Sequence, residues 1–121
     1  MSRDHRKLRV FQCADRLAIA VYRVTNRFPA SERYGLQMQV RRAAVSAATN
    51  IVEGSARRTT AEYCSFLNIA AGSAAEARYL LDLSMRLGFV ERADQEPLDG
   101  EYASLSAQLE SLIRALESRE K

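Results

Sequence analysis

Apolar residues recur along this chain at steps of three and four, the spacing that gathers side chains on one face of a helix, and no stretch alternates as a strand would. Over residues 10–27 the set Val10, Ala14, Leu17, Ala18, Val21 and Thr25 forms a single face, closed by Phe28, with Phe11 and Tyr22 on its shoulder. Pro29 cannot continue that helix and biases Phe28 away from helical geometry, so the first helix ends there. The connection over 29–34 is short, which makes the next helix an antiparallel neighbour.

The second helix, 35–56, has two apolar faces. Leu36, Val40, Ala43, Ala44, Ala47 and Ile51 fall within about 100° of one another, the width of stripe that a helix buries in its own bundle. Met38, Val45 and Val52, spaced by seven, lie on roughly the opposite side and predict an interface with a second copy of the chain. On one flank only, between the two faces, runs a polar stripe of Gln39, Arg42, Ser46, Asn50, Glu53 and Arg57. Arg42, Ser46, Asn50 and Glu53 read as structural, with Arg42 paired to Glu53 or to Glu76 of the next helix and Asn50 capping backbone or a subunit contact.

Gly54 marks the stop of that helix, and Arg57 and Arg58 make a cationic turn. Thr59-Thr60-Ala61-Glu62 then fits a capping box, in which the threonine oxygen and the glutamate carboxylate each satisfy a backbone amide. The third helix runs over 60–87 with Tyr63, Phe66, Leu67, Ala70, Ala74, Ala77 and Leu81 on its core face, and Gly88 is the left-handed residue that ends it. Its middle, around Gly72-Ser73, is built of small residues, although a helical glycine costs about 1 kcal/mol relative to alanine. That predicts a close crossing against Ala43, Ala44, Ala47 and Ala48. Pro97 is tolerated in a first helical turn, so the fourth helix is placed at 97–117, with Leu98, Tyr102, Leu105, Leu109, Leu112 and Leu116 as its seam. Four helices with short links give an all-α, up-down-up-down antiparallel four-helix bundle, one domain over 1–121.

Charge changes this picture. Residues 1–58 hold twelve Lys or Arg against four Asp or Glu, and residues 59–121 hold six against eleven, behind an overall +3. Two readings stand: the halves neutralise each other inside the bundle, or the basic side meets an anionic partner. Sixteen of the eighteen cations are arginine, the side chain suited to bidentate phosphate or carboxylate recognition.

Candidate chemistry is sparse. His5, the only histidine, sits in a basic lead-in over residues 1–9 and reads as solvated. There is no CxxC, no HExxH and no Glu-x-x-His pair, so no metal is expected, and without a phosphate-binding glycine loop no cofactor is expected. Neither Ser46 nor Cys64 has a histidine to activate it. Cys13 and Cys64 read as small buried hydrophobes in a reducing compartment. With no apolar run of the ~18 residues a membrane span needs and no signal-peptide core at the N-terminus, the chain is expected in the cytoplasm and off the membrane.

The run QVRRAAVSAATNIVEGSARR, followed by EYCSFLNIAAGSAAEARYLL and LGFV, resembles the four helix bundle proteins whose founding members are encoded in intervening sequences of 23S ribosomal RNA genes. LRVFQCADRLAIAVYRVTNRFPASERYGL is similar to that family's opening, so the resemblance weakens only in the fourth helix. The recurring positions are Arg41, Arg42, Ala43, Ser46, Asn50, Glu53, Gly54, Gly72 and Ser73. Ala47-Ala48 stands where members usually have Ile-Pro, which relaxes the mid-helix kink expected in relatives. The resemblance implies a ring, a homopentamer around a central channel, and for the family at large it implies no catalytic activity in particular. It also implies kinship with the accessory variability protein of diversity-generating retroelements, a basic pentamer that binds a reverse transcriptase and RNA.

The leading expectation is therefore a non-enzymatic oligomeric scaffold that binds nucleic acid, RNA first, through Arg6, Lys7, Arg9, Arg41, Arg57 and Arg58, with Arg3 and Arg42 as further candidates. No sequence specificity is expected, because no RNA-recognition signature is present and the nine aromatics fall mostly on core faces rather than between the arginines, as a base-stacking platform would require. The alternative is a protein-protein adaptor that docks a reverse transcriptase or a ribosome-associated protein. A small enzyme working by arginine electrostatics is the third and weakest reading.

Overall fold

The computed structural model describes residues 3–119, and among them four α-helices and two short 3-10 turns account for all regular structure. Helix α1 spans Arg9–Thr25, α2 Leu36–Ser55, α3 Thr60–Arg86 and α4 Arg92–Arg119. Packing runs around a square: α1 touches α2 and α4, and α3 touches α2 and α4, with α2 and α3 forming the most extensive pair. The core is one cluster, from Val10, Leu17 and Val21 through Val40 and Ile51 to Leu67, Leu81, Leu105 and Leu109. On α4, Ile113 is buried where the seam predicted Leu112, which is only half-buried.

The ends of α3 follow local chemistry. Thr59 Oγ1 accepts the Glu62 amide at 3.1 Å, as a capping box requires. The Glu62 carboxylate, however, accepts from the Thr59 hydroxyl at 3.0 Å rather than from a backbone amide. At the other end Gly88 has φ +84°, the Phe89 amide reaches back to the Ser84 carbonyl at 2.9 Å, and the Gly88 amide to that of Met85 at 3.0 Å. This is the Schellman arrangement, and it swings Phe89 onto Phe28 with ring centroids 5.5 Å apart.

Two expectations are corrected. Helix α4 begins at Arg92, a full turn before Pro97. The amide that proline lacks would have met the carbonyl of Ala93, which belongs to an exposed first turn where water can take the place of the missing donor. The glycine at a close helix crossing is Gly54, not Gly72. A Cβ on Gly54 would stand 2.9 Å from Phe66 Cβ and 3.3 Å from the Tyr63 carbonyl, whereas one on Gly72 would meet nothing within 4 Å. Gly72 is exposed because it lies two residues from both Ala70 and Ala74, about 200° round the helix from the buried face they share.

Candidate nucleic-acid interface

The basic half of the chain is not neutralised by the acidic half. Of the ion pairs among the described residues, only Arg16–Glu101, at 3.3 Å, joins them. Arg6 pairs with Asp4, and Arg78–Asp99, Arg86–Asp82, Arg92–Glu96 and Arg114–Glu110 lie within the acidic half. Lys7, Arg9, Arg23, Arg27, Arg33, Arg42 and Arg58 are exposed, and none of their side chains has an ion pair or hydrogen bond among the described residues.

These cations gather at both ends of the bundle. At one end the N-terminal lead-in folds back over the α2–α3 turn: the Arg3 amide donates to the Ser55 carbonyl at 3.1 Å and its guanidinium to the Arg57 carbonyl at 3.3 Å. The same guanidinium lies 4.2 Å from the centre of the Tyr63 ring, an attraction between cation and ring face. Burial pushes the Tyr63 phenol up and Arg3 opposes that shift in part. Arg57 lies over Phe66 at 4.9 Å and donates to the Glu53 carbonyl, so of the two arginines in the turn only Arg58 is unengaged. Arg6 is held by Asp4 at 3.0 Å, and that contact holds the Asp4 carboxyl below its usual value. His5 packs edge-on against Phe11, with centroids 4.8 Å apart, instead of pointing freely into water.

The other end joins the C-terminus of α1, the connection and the start of α2, and here the sequence expectations for Arg41 and Arg42 exchange places. Arg42 is exposed and has no carboxylate partner among the described residues, neither Glu53 nor Glu76. Arg41 is the structural one. Its Nε donates to Thr25 Oγ1 at 2.8 Å, its Nη2 to the Tyr22 carbonyl at 3.3 Å and to Asn26 Oδ1 at 3.1 Å, and its guanidinium lies over the Tyr22 ring at 4.5 Å. Gln37 adds a donor to the Thr25 carbonyl at 2.9 Å. The last carbonyls of a helix have no partner within it, and α2 supplies donors and a positive charge to those of α1.

Around Arg41 the surface is concave. A groove of about 690 Å³ is lined by Arg33, Arg41 and Arg42, by Tyr22 and Tyr34, and by Met38 and Val45, with no carboxylate in the lining. Tyr34 stands 79% exposed at this groove and Tyr22 46%. Aromatic rings and arginines do interleave here, whereas the sequence suggests that the aromatics, mostly on core faces, do not. Sequence reading missed Arg33 and Tyr34 because they lie in a connection, where helical periodicity assigns no face; their adjacency, Arg33-Tyr34, was the available signal.

The polar stripe is built, without its arginine. Ser46 Oγ and Ser73 Oγ share a hydrogen bond at 2.8 Å between α2 and α3, and Asn50 Nδ2 donates to Ser46 O at 2.9 Å and to Ser46 Oγ at 3.0 Å. Glu53 is exposed and outside this set. On the outward face of α2, Val45 is 37% exposed, and Met38 and Val52 are half-buried.

A family model described as 23S rRNA-intervening sequence protein matches residues 6–111. The chain is also similar to a solved structure from Bacteroides thetaiotaomicron, a protein of unknown function from the S23 ribosomal protein family. The two share 23% identity over 86% of this chain and 97% of that one, with a TM-score of 0.80, and this likeness bears on the fold. No curated protein matches. No helix among the described residues is long and apolar enough to cross a membrane.

Proposed function

The chain belongs to the 23S rRNA-intervening sequence protein family, and on that premise we propose that it is a non-enzymatic, cytoplasmic, oligomeric scaffold that binds RNA through its unneutralised arginines. The observation that carries this reading is the set of exposed cations in the basic half that no carboxylate engages among the described residues, of which Arg33 and Arg42 line one groove at the α1–α2 end. Exposed arginines at a concave surface without carboxylates leave guanidinium forks available for phosphate oxygens. Copies assemble through Met38, Val45 and Val52, in the ring of five that the family resemblance implies, and each copy then repeats the basic end. Met38 and Val45 line the groove as well as the surface assigned to a second copy, so assembly and RNA binding meet at these two residues. Repetition raises the local concentration of sites facing one polyanion and so multiplies a weak single-copy affinity.

The test is a titration of labelled RNA at several salt concentrations, for wild type and for the pair Arg33→Ala with Arg42→Ala. Wild-type affinity is expected to fall steeply with salt, and the double variant to show a slope shallower by roughly 0.7 for each phosphate contact removed. Affinity for RNA that ignores salt, or no affinity, overturns the reading. Salt-insensitive capture of a reverse transcriptase or a ribosome-associated protein would put the adaptor in its place.

A further inference from the structure

We infer that the groove at the α1–α2 end seats one unpaired nucleotide, its base stacked on Tyr34 and its phosphate held by Arg33 and Arg42, so that the scaffold prefers single-stranded RNA to duplex; this rests on the RNA reading above. Three observations converge. Tyr34 leaves 79% of its surface in water, and its ring is committed to no partner. Tyr22, by contrast, is covered on one face by Arg41, so the two exposed rings of the groove have different states: one already stacked on a cation, one open. An open ring beside arginines is what a base needs, since every base has a flat face and stacking is indifferent to its identity.

The charges have a similar division of labour. Arg41 is tied to Thr25, Tyr22 and Asn26 and so forms a fixed positive floor. Arg33 and Arg42 border the same groove with their guanidinium groups unengaged, free to close on a phosphate. A volume of about 690 Å³ is in the range of sites that bury a small ligand. It admits a base and its sugar, but a stacked duplex could offer only its phosphates. Arg23 in the last turn of α1 and Arg27 just beyond it, both exposed and without an ion pair among the described residues, extend positive charge for the neighbouring phosphates of a strand. That extension favours a polyanionic strand over a peptide with one phosphate.

The experiment compares a short labelled uridylate oligomer with an RNA duplex, using wild-type protein, Tyr34→Ala and Tyr34→Phe. Wild type is expected to bind the single strand more tightly than the duplex. Tyr34→Ala should lose about tenfold on the single strand, nothing on the duplex, and keep the wild-type salt slope, because stacking carries no counterion. Tyr34→Phe, which keeps the ring, should restore the affinity. If RNA binding is salt-sensitive but Tyr34→Ala is silent, or weakens strand and duplex alike, the nucleotide seat is wrong and the RNA scaffold stands. Displacement of the uridylate by a phosphorylated peptide at matched charge, with the same dependence on Tyr34, also overturns it. An absence of salt-sensitive RNA binding by wild type removes both.

Discussion

Arg41 of α2 donates to the hydroxyl of Thr25, the last residue of α1, at 2.8 Å, and Thr25 in turn donates to the Val21 carbonyl at 2.8 Å from a fully buried position. One guanidinium thus ties together the end of one helix and the start of the next. Hydrogen bonds to a charged donor contribute roughly 1.5 to 3 kcal/mol, and Arg41 is half-exposed, so Arg41→Ala is expected to cost about 1 to 3 kcal/mol. Arg42→Ala, one residue on, should change stability by no more than about 0.5 kcal/mol, as surface substitutions do. Chemical denaturation of the two variants side by side checks this, and equal losses would contradict it.

The two helical glycines near the α2–α3 pair should behave oppositely. Gly54→Ala forces a methyl to within 2.9 Å of Phe66 Cβ and 3.3 Å of the Tyr63 backbone oxygen, which cannot both give way without parting the helices. A loss of about 1 to 3 kcal/mol is expected. Gly72→Ala adds its methyl into open space in a helix interior and should gain up to about 1 kcal/mol. Thermal melts of the pair decide it: a destabilised Gly72→Ala would mean that a neighbour does cover that position.

The pair Arg78–Asp99 links α3 to α4 through two bonds, at 2.8 and 3.1 Å. The hydrogen bond from Arg78 holds the Asp99 carboxyl below its ordinary value, opposed in part by desolvation. A depressed carboxylate contributes stability that is present above the unfolded value and is lost as pH falls through the folded one. Asp99→Asn should therefore be less stable than wild type at neutral pH, by about 0 to 1 kcal/mol for so exposed a pair. The gap should close below the ordinary carboxylate range near pH 4. Melting curves across a pH series read it, and a gap that persists in strong acid would point to packing instead of charge.

The helices and their buried faces were legible because a helix buries a stripe whose period is set by the chain itself. Residues such as Val40, Ile51, Leu67 and Leu105 therefore declared their environment. What failed depended on a neighbour. Arg41 and Arg42 stand about 100° apart on one helix, and which of them finds partners is decided by where α1 ends, not by α2. Gly72 was legible and misread: its offset from Ala70 and Ala74 already turned it outward. The groove was illegible, since Tyr34 sits in a connection whose path no periodicity describes.

Val45 leaves 37% of its surface in water, and Met38 and Val52, seven residues to either side, are half-buried on the same outward face, opposite the buried set of Val40, Ala44 and Ile51. Ile69 of α3, 50% exposed, adds a further apolar residue outside the core. Exposed aliphatic side chains in a repeating row are what a second copy would cover. A carboxylate placed there must be desolvated on association while the monomer keeps it in water, so it should oppose assembly and leave folding intact. Val45→Glu tests this but also puts a negative charge in the groove beside Arg42, where it would weaken RNA binding by a separate route. Val52→Glu lies outside the groove lining and separates the two effects. Both variants are expected to keep wild-type helix content by circular dichroism and to drop in mass by light scattering, with RNA affinity per chain falling further for Val45→Glu than for Val52→Glu. If both keep the wild-type mass, the outward face of α2 is not where copies meet.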